Sequence, residues 1–497
     1  MKMLEALENL GNVSYTENGA QVFNSTKSAL LDYFSLGGAL RNTPTDSVLR
    51  LFSKALAEDE LNALKAMFYF RDVRGGQGQR QAFRDQLDYL AQVKPALLDQ
   101  NLDWVSEFGR WDDLYALVGT PLEQDAMLIM WNQMVSDWES MEAGEPVSLL
   151  AKWLKSENAS SPKTKELARL TRKYFEMSPK QYRQMLSELR KYIDVVERKV
   201  SAGDWNHIDY SAVPSNAMMK YRKAFERHDP SGFGKFAQKA ADGEVKINSA
   251  TLYPYEIVEK ALANKFGWSM YGSSLSATER KVLDAQWNQL PDYVAGSEEN
   301  AIAVVDTSGS MSGTPINVAV SLGIYLAERA NGPYKDHFIT FSKAPKLQKV
   351  VGTDIVEKAL NLCQAQWDMN TNMESVFNLV LNAAIQNDLP QSEMLDKLYI
   401  ISDMQFDAAY RAGRGSFFYN MRQKFEDAGY KMPLLVFWNV DARGNMQAPM
   451  TLDQRGFLAV SGFSPSIFAS LMENEIVDAY EMMMRVLNSE RYDVITA

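Results

Sequence analysis

Two hydrophobic rhythms divide the chain. From Thr45 to Leu290, apolar positions recur three and four residues apart, as on amphipathic helices. Beyond Asn300, short apolar runs alternate with helical stretches, the rhythm of strands joined by crossover helices. In the first part the spacing predicts helices over Ser47–Glu58, Asp59–Phe70, Ala82–Leu90, Leu122–Ser136, Pro146–Lys155, Lys163–Phe175 and Pro179–Val200. Asp46 is placed to cap the first, whose apolar stripe is Val48, Leu49, Leu51, Phe52 and Leu56. Strand-type alternation is missing before Asn300, and the residues up to Asn42 are too weakly patterned to assign an element. Helix pairs in series imply an α-hairpin solenoid.

The stretch Leu290–Asn300 (LPDYVAGSEEN) separates the two regimes. After it the predicted strands are Ala301–Val305, His337–Phe341, Leu347–Val351, Lys397–Ile401, Leu434–Trp438 and Phe457–Val460. The predicted helices are Ile316–Ala330, Thr353–Leu362, Met373–Gln386, Ser416–Ala428 and Pro465–Met472. The expected fold class is therefore α plus α/β: a helical-repeat domain over 1–295, then a doubly wound, mostly parallel sheet domain over 296–497.

Composition supports packed cores and narrows the setting. Of 497 residues, 46% are apolar and 11% aromatic, ample for two domains. The N-terminal MKMLEALENL does not read as a secretory signal, and no uncharged apolar run reaches the roughly 18 residues of a membrane span. A single cysteine, Cys363, leaves no material for internal disulfides or Cys-rich zinc sites, so a reducing, cytoplasmic location is expected. The net charge of −11 conceals a basic block: Ser161–Ala240 holds seventeen Lys/Arg against nine Asp/Glu. Such a block reads equally well as solvated helix faces or as a docking surface for a polyanion.

Candidate chemistry gathers behind the first predicted strand. Ala301–Gly313 reads AIAVVDTSGSMSG, so Asp306, Ser308 and Ser310 follow the strand, with Gly309 and Gly313 permitting sharp turns and Pro315 opening a helix. A D-x-S-x-S pattern alone arises in roughly one chain in ten of this length. Here a second strand, Lys397–Ile401, runs into Asp403, which a parallel sheet would bring to the same edge. Between them NTNMESVF (Asn370–Phe377) places Thr371 just before a helix. Three hydroxyls and two carboxylates, without His or Cys, suit a hard cation such as Mg²⁺ (or Mn²⁺ or Ca²⁺), which would keep a position open for an acidic group from a partner.

On these residues the second half resembles a von Willebrand factor A domain, with DTSGS matching its metal-ion-dependent adhesion motif. The resemblance implies Asp306, Ser308, Ser310, Thr371 and Asp403 as the metal set, with Ser375 as a substitute for Thr371. FYFRDVRGGQGQR (Phe68–Arg80), FGRWDDL (Phe108–Leu114), LLAKWLKSENAS (Leu149–Ser160), ISDMQFD (Ile401–Asp407) and AGYKMPLLVFWNV (Ala428–Val440) are similar to the domain-of-unknown-function 2828 family, which is related to the Ro ribonucleoprotein autoantigens. That resemblance implies a ring of HEAT-like helical repeats, the TROVE module, closed by the A domain. It also implies binding of small structured or single-stranded RNA without catalysis.

The residues offer partial independent support for RNA. Arg183, Arg190, Lys191, Arg198 and Lys199 lie on the predicted Pro179–Val200 helix, and Lys220, Arg222, Lys223 and Arg227 follow. Tyr182, Tyr192, Trp205 and Tyr221 are interspersed, able either to stack bases or to pack between helices. The loop RDVRGGQGQR offers Arg71, Arg74 and Arg80 to phosphate, or else forms a turn in which Arg71 or Arg74 pairs with Asp72 or Asp113. It lacks the Lys-Ser/Thr ending of a P-loop, so nucleotide hydrolysis is not indicated. The three histidines, His207, His228 and His337, accompany no nucleophile motif; VVDTSGS superficially resembles the D-[ST]-G loop of aspartic proteases, but Ser308 separates Thr307 from Gly309 and no second such loop occurs. Two alternatives to an RNA scaffold remain: a metal-dependent protein–protein adhesion module, and Mg²⁺-dependent phosphoryl transfer using Asp306, Asp403 and Asp407. A monomer without membrane contact is expected.

Overall fold

The computed structural model describes residues 3, 11–262, 275–341, 345–364, 372–406, 417–442, 447–451, 454–472 and 478–497. Its strands are β1 (Val13–Tyr15), β2 (Gln21–Phe23), β3 (Ala301–Val305), β4 (His337–Thr340), β5 (Leu347–Lys349), β6 (Lys397–Ser402), β7 (Leu434–Asn439) and β8 (Phe457–Ser461). All five residues of β3 and all six of β6 are buried, which is why β3 and Leu398–Ile401 of β6 read as unbroken apolar runs rather than alternating ones. The chain divides into two compact units, Met1–Ala63 with Lys235–Ser489 and Leu64–Gly234 with Glu490–Ala497.

In the first unit six strands form one sheet in the order β5-β4-β3-β6-β7-β8, parallel throughout except for β5, which runs against β4. After β3 the chain crosses to β4 on one side and then returns to lay β6 on the other. The carboxyl ends of β3 and β6 therefore flank the point where the winding reverses, the usual ligand crevice of such a sheet. The helix Thr314–Arg329 is buried along Pro315–Ala327, packed on β3 and β6 and also against the helix Pro254–Leu262. Gly323 allows its close approach to the sheet, since a Cβ there would lie 2.5 Å from Val305 Cγ2. At the opposite edge, Lys397 Nζ donates to Glu299 Oε1 at 2.6 Å and to the Leu471 carbonyl, joining the entries of β3 and β6 to the end of the helix Ile467–Leu471.

From residue 11 on, the weakly patterned N-terminal stretch is structured and belongs to this unit. β1 and β2 form an antiparallel ribbon, contrary to the expectation of no strand before Asn300. Three residues per strand leave too short a window for alternation to show. The helix Ala29–Gly37 follows, capped by Ser28 Oγ, which accepts from Leu31 N at 3.1 Å, and packs on β8 and on the helix Ala479–Leu487. Gly38 lies so close to the backbone of Ser461 that any Cβ would overlap its carbonyl.

The second unit is helical. Its helices include Gln81–Val93, Glu123–Ala143, Pro162–Tyr174, Pro179–Tyr192, Val196–Ala202 and Ser215–His228. The single helix expected over Pro179–Val200 breaks at Asp194, which takes a φ of +52° between Tyr192 and Val196. Only Leu150–Trp153 is helical in the region expected to run from Pro146 to Lys155, whereas the helix over Glu123–Ala143 runs past the expected end to a left-handed Gly144.

A chain of ion pairs ties this unit together. Arg71 Nε donates to Asp113 Oδ2 at 2.8 Å and Arg84 Nε to Asp113 Oδ1 at 2.7 Å. Asp112 receives both Arg110 Nε and Nη2 at 2.8 Å, Arg84 at 3.1 Å and Lys155 at 3.4 Å. The C-terminal residues return to it: Arg491 and Tyr492 donate to Asp72, and Thr496 exchanges bonds of 2.8 and 3.0 Å with Asn101. Burial alone would raise the Asp112 carboxyl, but the hydrogen bonds and charges of Arg110, Arg84 and Lys155 outweigh it and hold the group down at about 2. A depressed carboxyl contributes stability above its unfolded value and loses it as pH falls toward the folded one. Asp112→Asn is therefore expected to cost about 1–2 kcal/mol near neutral pH in urea unfolding, with the difference from the parent shrinking as pH is lowered from about 4 toward 2.

Candidate functional site

Parallel pairing of β3 with β6 sets Val305 opposite Ile401, so the residues that leave the two strands, Asp306 and Asp403, emerge side by side. Asp306 N–H continues the ladder by donating to the Ile401 carbonyl at 3.1 Å. Asp306 is fully buried, Asp403 nearly so, Ser308 half-buried and Ser310 exposed, so the carboxylates lie deeper than the hydroxyls. Ser308 N–H donates to Asp306 Oδ1 at 2.9 Å, Ser308 Oγ lies 3.1 Å from Ser310 Oγ, and Ser310 hydrogen-bonds Asp403. Buried Met311 anchors the short turn Gly309–Met311, and Gly313 (φ +92°) leads into the helix Thr314–Arg329 with Pro315 in its first turn.

Burial, then the neighbouring Asp403 charge, push the Asp306 carboxyl up to about 6. Burial likewise raises Asp403, and Asp441 beyond β7 adds to it. Neither carboxylate has an ion-pair partner among the described residues. No three His, Cys, Asp or Glu side chains cluster as a metal site among them either, so any coordination shell there would need hydroxyl, carbonyl or water oxygens as well. Two adjacent buried carboxylates without a counter-charge, ringed by serine oxygens, are a donor set that fits a hard divalent cation. Thr371 lies outside the described residues, as does Asp407, while Ser375 sits in the first turn of the helix Met373–Asn387, its N–H held by Asn372 Oδ1 at 3.1 Å.

Ser402 is the residue that sequence reasoning passed over. As the last residue of β6 it donates to Asp306 Oδ2 at 2.5 Å and accepts from Met404 N–H at 3.1 Å, linking the two site loops from below. Its position beside Asp403 at a strand end was the only available signal. Met404 itself is a non-glycine residue with φ +64°.

The basic candidates divide by environment. Arg71 is buried against Asp113, the pairing weighed against phosphate contact, and Arg74 meets Glu107 at 3.2 Å, while Arg80 is exposed. Arg190 donates to the Ala151 and Leu154 carbonyls and to Ser156 Oγ at 2.8–2.9 Å, and Arg222 is buried with a bond to the Met219 carbonyl, so both brace the fold. Arg183 approaches Glu157 at 3.9 Å and Lys199 meets Asp194 at 2.7 Å. Lys191, Arg198, Lys223 and Arg227 are exposed and have no ion-pair partner among the described residues, and Lys220 lies 4.8 Å from the Tyr221 ring centroid. Tyr182 is wholly buried, Tyr192 is exposed with its hydroxyl on the Glu145 carbonyl, and Trp205 stacks on His228 at 4.3 Å.

The profile of a domain of unknown function (DUF2828) matches residues 16–146 and 146–297, and that of another (DUF7788) matches 300–494. The chain is 31% identical to an uncharacterized protein, L728, of Acanthamoeba polyphaga mimivirus, over 98% of this chain and 91% of that one. The crystal structure of the Deinococcus radiodurans RO (RSR) protein matches with a TM-score of 0.50 over 91% of this chain and 100% of that one, at 15% identity, a likeness of fold. Among the described residues no helix is long and apolar enough to cross a membrane.

Because Ser402 Oγ serves two buried partners, Ser402→Ala is expected to lower stability by about 2 kcal/mol without added metal, measured as a shift of the urea midpoint.

Proposed function

We propose that this chain, which belongs to the domain-of-unknown-function 2828 family, is a non-catalytic RNA-binding scaffold of the Ro type with a Mg²⁺-dependent ligand site. In this reading 1–295 is a TROVE-like helical-repeat module and 296–497 a von Willebrand A-like domain, with residues of the N-terminal stretch folded into the sheet unit. The observation that carries the cation site is the convergence of Asp306, Ser308, Ser310 and Asp403 at the switch point of the sheet. Those four residues, with Thr371, would hold the ion, and the ion would present an open position to a carboxylate of a partner. RNA follows from the resemblance to Ro proteins, and exposed Lys191, Arg198, Lys220, Lys223 and Arg227 supply cations for a phosphate backbone. The reading extends to a cytoplasmic monomer.

Adhesion to a protein is the second reading, favoured by the pairing of Arg172 and Arg183 with Glu157 and of Lys199 with Asp194, which neutralises part of the basic block. Phosphoryl transfer ranks lower because the ring around Asp306 is made of serines rather than bridging carboxylates.

Saturating Mg²⁺ is expected to raise the melting temperature of the parent by about 3 °C or more, and that of Asp306→Ala by nothing. Equal shifts in both would overturn the cation assignment. Single-stranded RNA should bind in a salt-sensitive manner, and Lys191→Glu combined with Lys223→Glu should weaken it by about tenfold at low salt in fluorescence anisotropy. Affinity equal to the parent's removes these lysines from the RNA face.

A further inference from the structure

The turn between β1 and β2 reaches the loop that carries Asp403, far from it in sequence. Strands of three residues do not hold together unaided. This ribbon is fastened to loops leaving the carboxyl edge of the sheet. Phe23 exchanges backbone bonds of 2.9 and 2.8 Å with Ala448, and Gln447 donates to the Ser14 hydroxyl. At the turn itself, Thr16 Oγ1 donates to the Phe406 carbonyl at 2.7 Å and Asn18 Nδ2 to the Gln405 carbonyl at 2.8 Å. Glu17 N–H donates to Gln405 Oε1 at 3.1 Å. Thr16 is buried, and its hydroxyl also accepts from Ala20 N–H at 2.9 Å, closing the turn on the same atom that grips the loop.

Gln405 is held on both sides. Its own N–H donates to Asp403 Oδ1 at 3.2 Å, so the residue clamped by the turn is the one that orients the carboxylate. Met404 lies between them in the left-handed region, which costs a non-glycine residue free energy and persists only where the surroundings over-determine it. The fixing points are Ser402 Oγ on one side and the Thr16–Ala20 turn on the other.

We infer that the Thr16–Ala20 turn is a positioning element of the cation site, holding Asp403 through Gln405 so that cation affinity depends on the N-terminal ribbon. This rests on the cation reading above. Thr16 and Asn18 touch the Gln405–Phe406 backbone rather than the site oxygens. Their contribution is to keep Asp403 in the geometry that Met404 would otherwise relax.

The test is Mg²⁺ titration by isothermal calorimetry of the full chain, comparing the parent with Thr16→Val/Asn18→Ala, Thr16→Ser and Asp306→Ala. Losing both side-chain bonds should weaken Mg²⁺ by about tenfold, while Thr16→Ser, which keeps the hydroxyl, binds like the parent. Parent-like affinity in the double variant overturns the inference and leaves the cation reading standing. If the parent takes up no more Mg²⁺ than Asp306→Ala, the cation reading falls and this inference with it. Should the double variant not fold, Asn18→Ala alone, at an exposed position, is expected to weaken Mg²⁺ by about threefold, and unchanged affinity there overturns the inference.

Discussion

The register of β3 against β6 is the constraint on which the rest of the sheet unit depends. With Val305 opposite Ile401, two strands that end in aspartate must deliver both carboxylates to one edge. Burying one of them completely beside the other is unfavourable unless donors or a cation compensate. The surrounding residues read as that compensation: Ser402 from the strand end, Ser308 through backbone and side chain, and Ser310 at the rim. Each supplies a neutral donor, so none of them offsets the negative charge of the two carboxylates. Under the cation proposal, Ser308 and Ser310 are the hydroxyls that would turn to the ion, while Ser402 keeps its bond to Asp306 from the strand end.

In the helical unit charge does different work. Arg71, Arg84, Arg110 and Lys155 are spent on Asp112 and Asp113, and Arg491 on Asp72. Removing one partner of such a buried pair is costly even where an apolar replacement of the whole pair would not be. Arg110 also covers the Trp153 ring at 3.8 Å. A count of basic residues therefore overstates what is available to a polyanion, since Arg71, Arg190 and Arg222 look identical in sequence to exposed Lys191 and Lys223.

Where the sequence was legible, the reason was local. β3 is found at its expected bounds because a strand buried on both faces is an uninterrupted apolar run, and each of the other five strands begins at its expected residue. The meeting of Asp306 with Asp403 followed from parallel topology alone. What escaped depends on contacts across hundreds of residues. Gly38 looks like a loop glycine until Ser461 is placed against it, and Asp72, offered locally to Arg71 or Arg74, takes its guanidinium partner from Arg491, 419 positions away. Asp194 gives no warning that a helical pattern will break, because the apolar spacing continues through Val196. Thr371 lies outside the described residues, and the site geometry described is that of Asp306, Ser308, Ser310 and Asp403.

Both compact units are discontinuous in sequence, and this bears on how the molecule must be handled. Residues before Ala63 fold with the sheet, and residues after Ser489 fold with the helices. A cut between 295 and 296 follows the change of hydrophobic rhythm, yet it strips the sheet of the ribbon that grips Gln405 and of the helix Ala29–Gly37 that packs on β8. The same cut takes Arg491 and Tyr492 away from Asp72, leaving a buried carboxylate with three fewer donors. Each fragment would then fail for reasons unrelated to its ligand. The cation and RNA readings are separable by substitution within the whole chain, and the cross-sequence closure of both units is what makes the whole chain the smallest meaningful object for them.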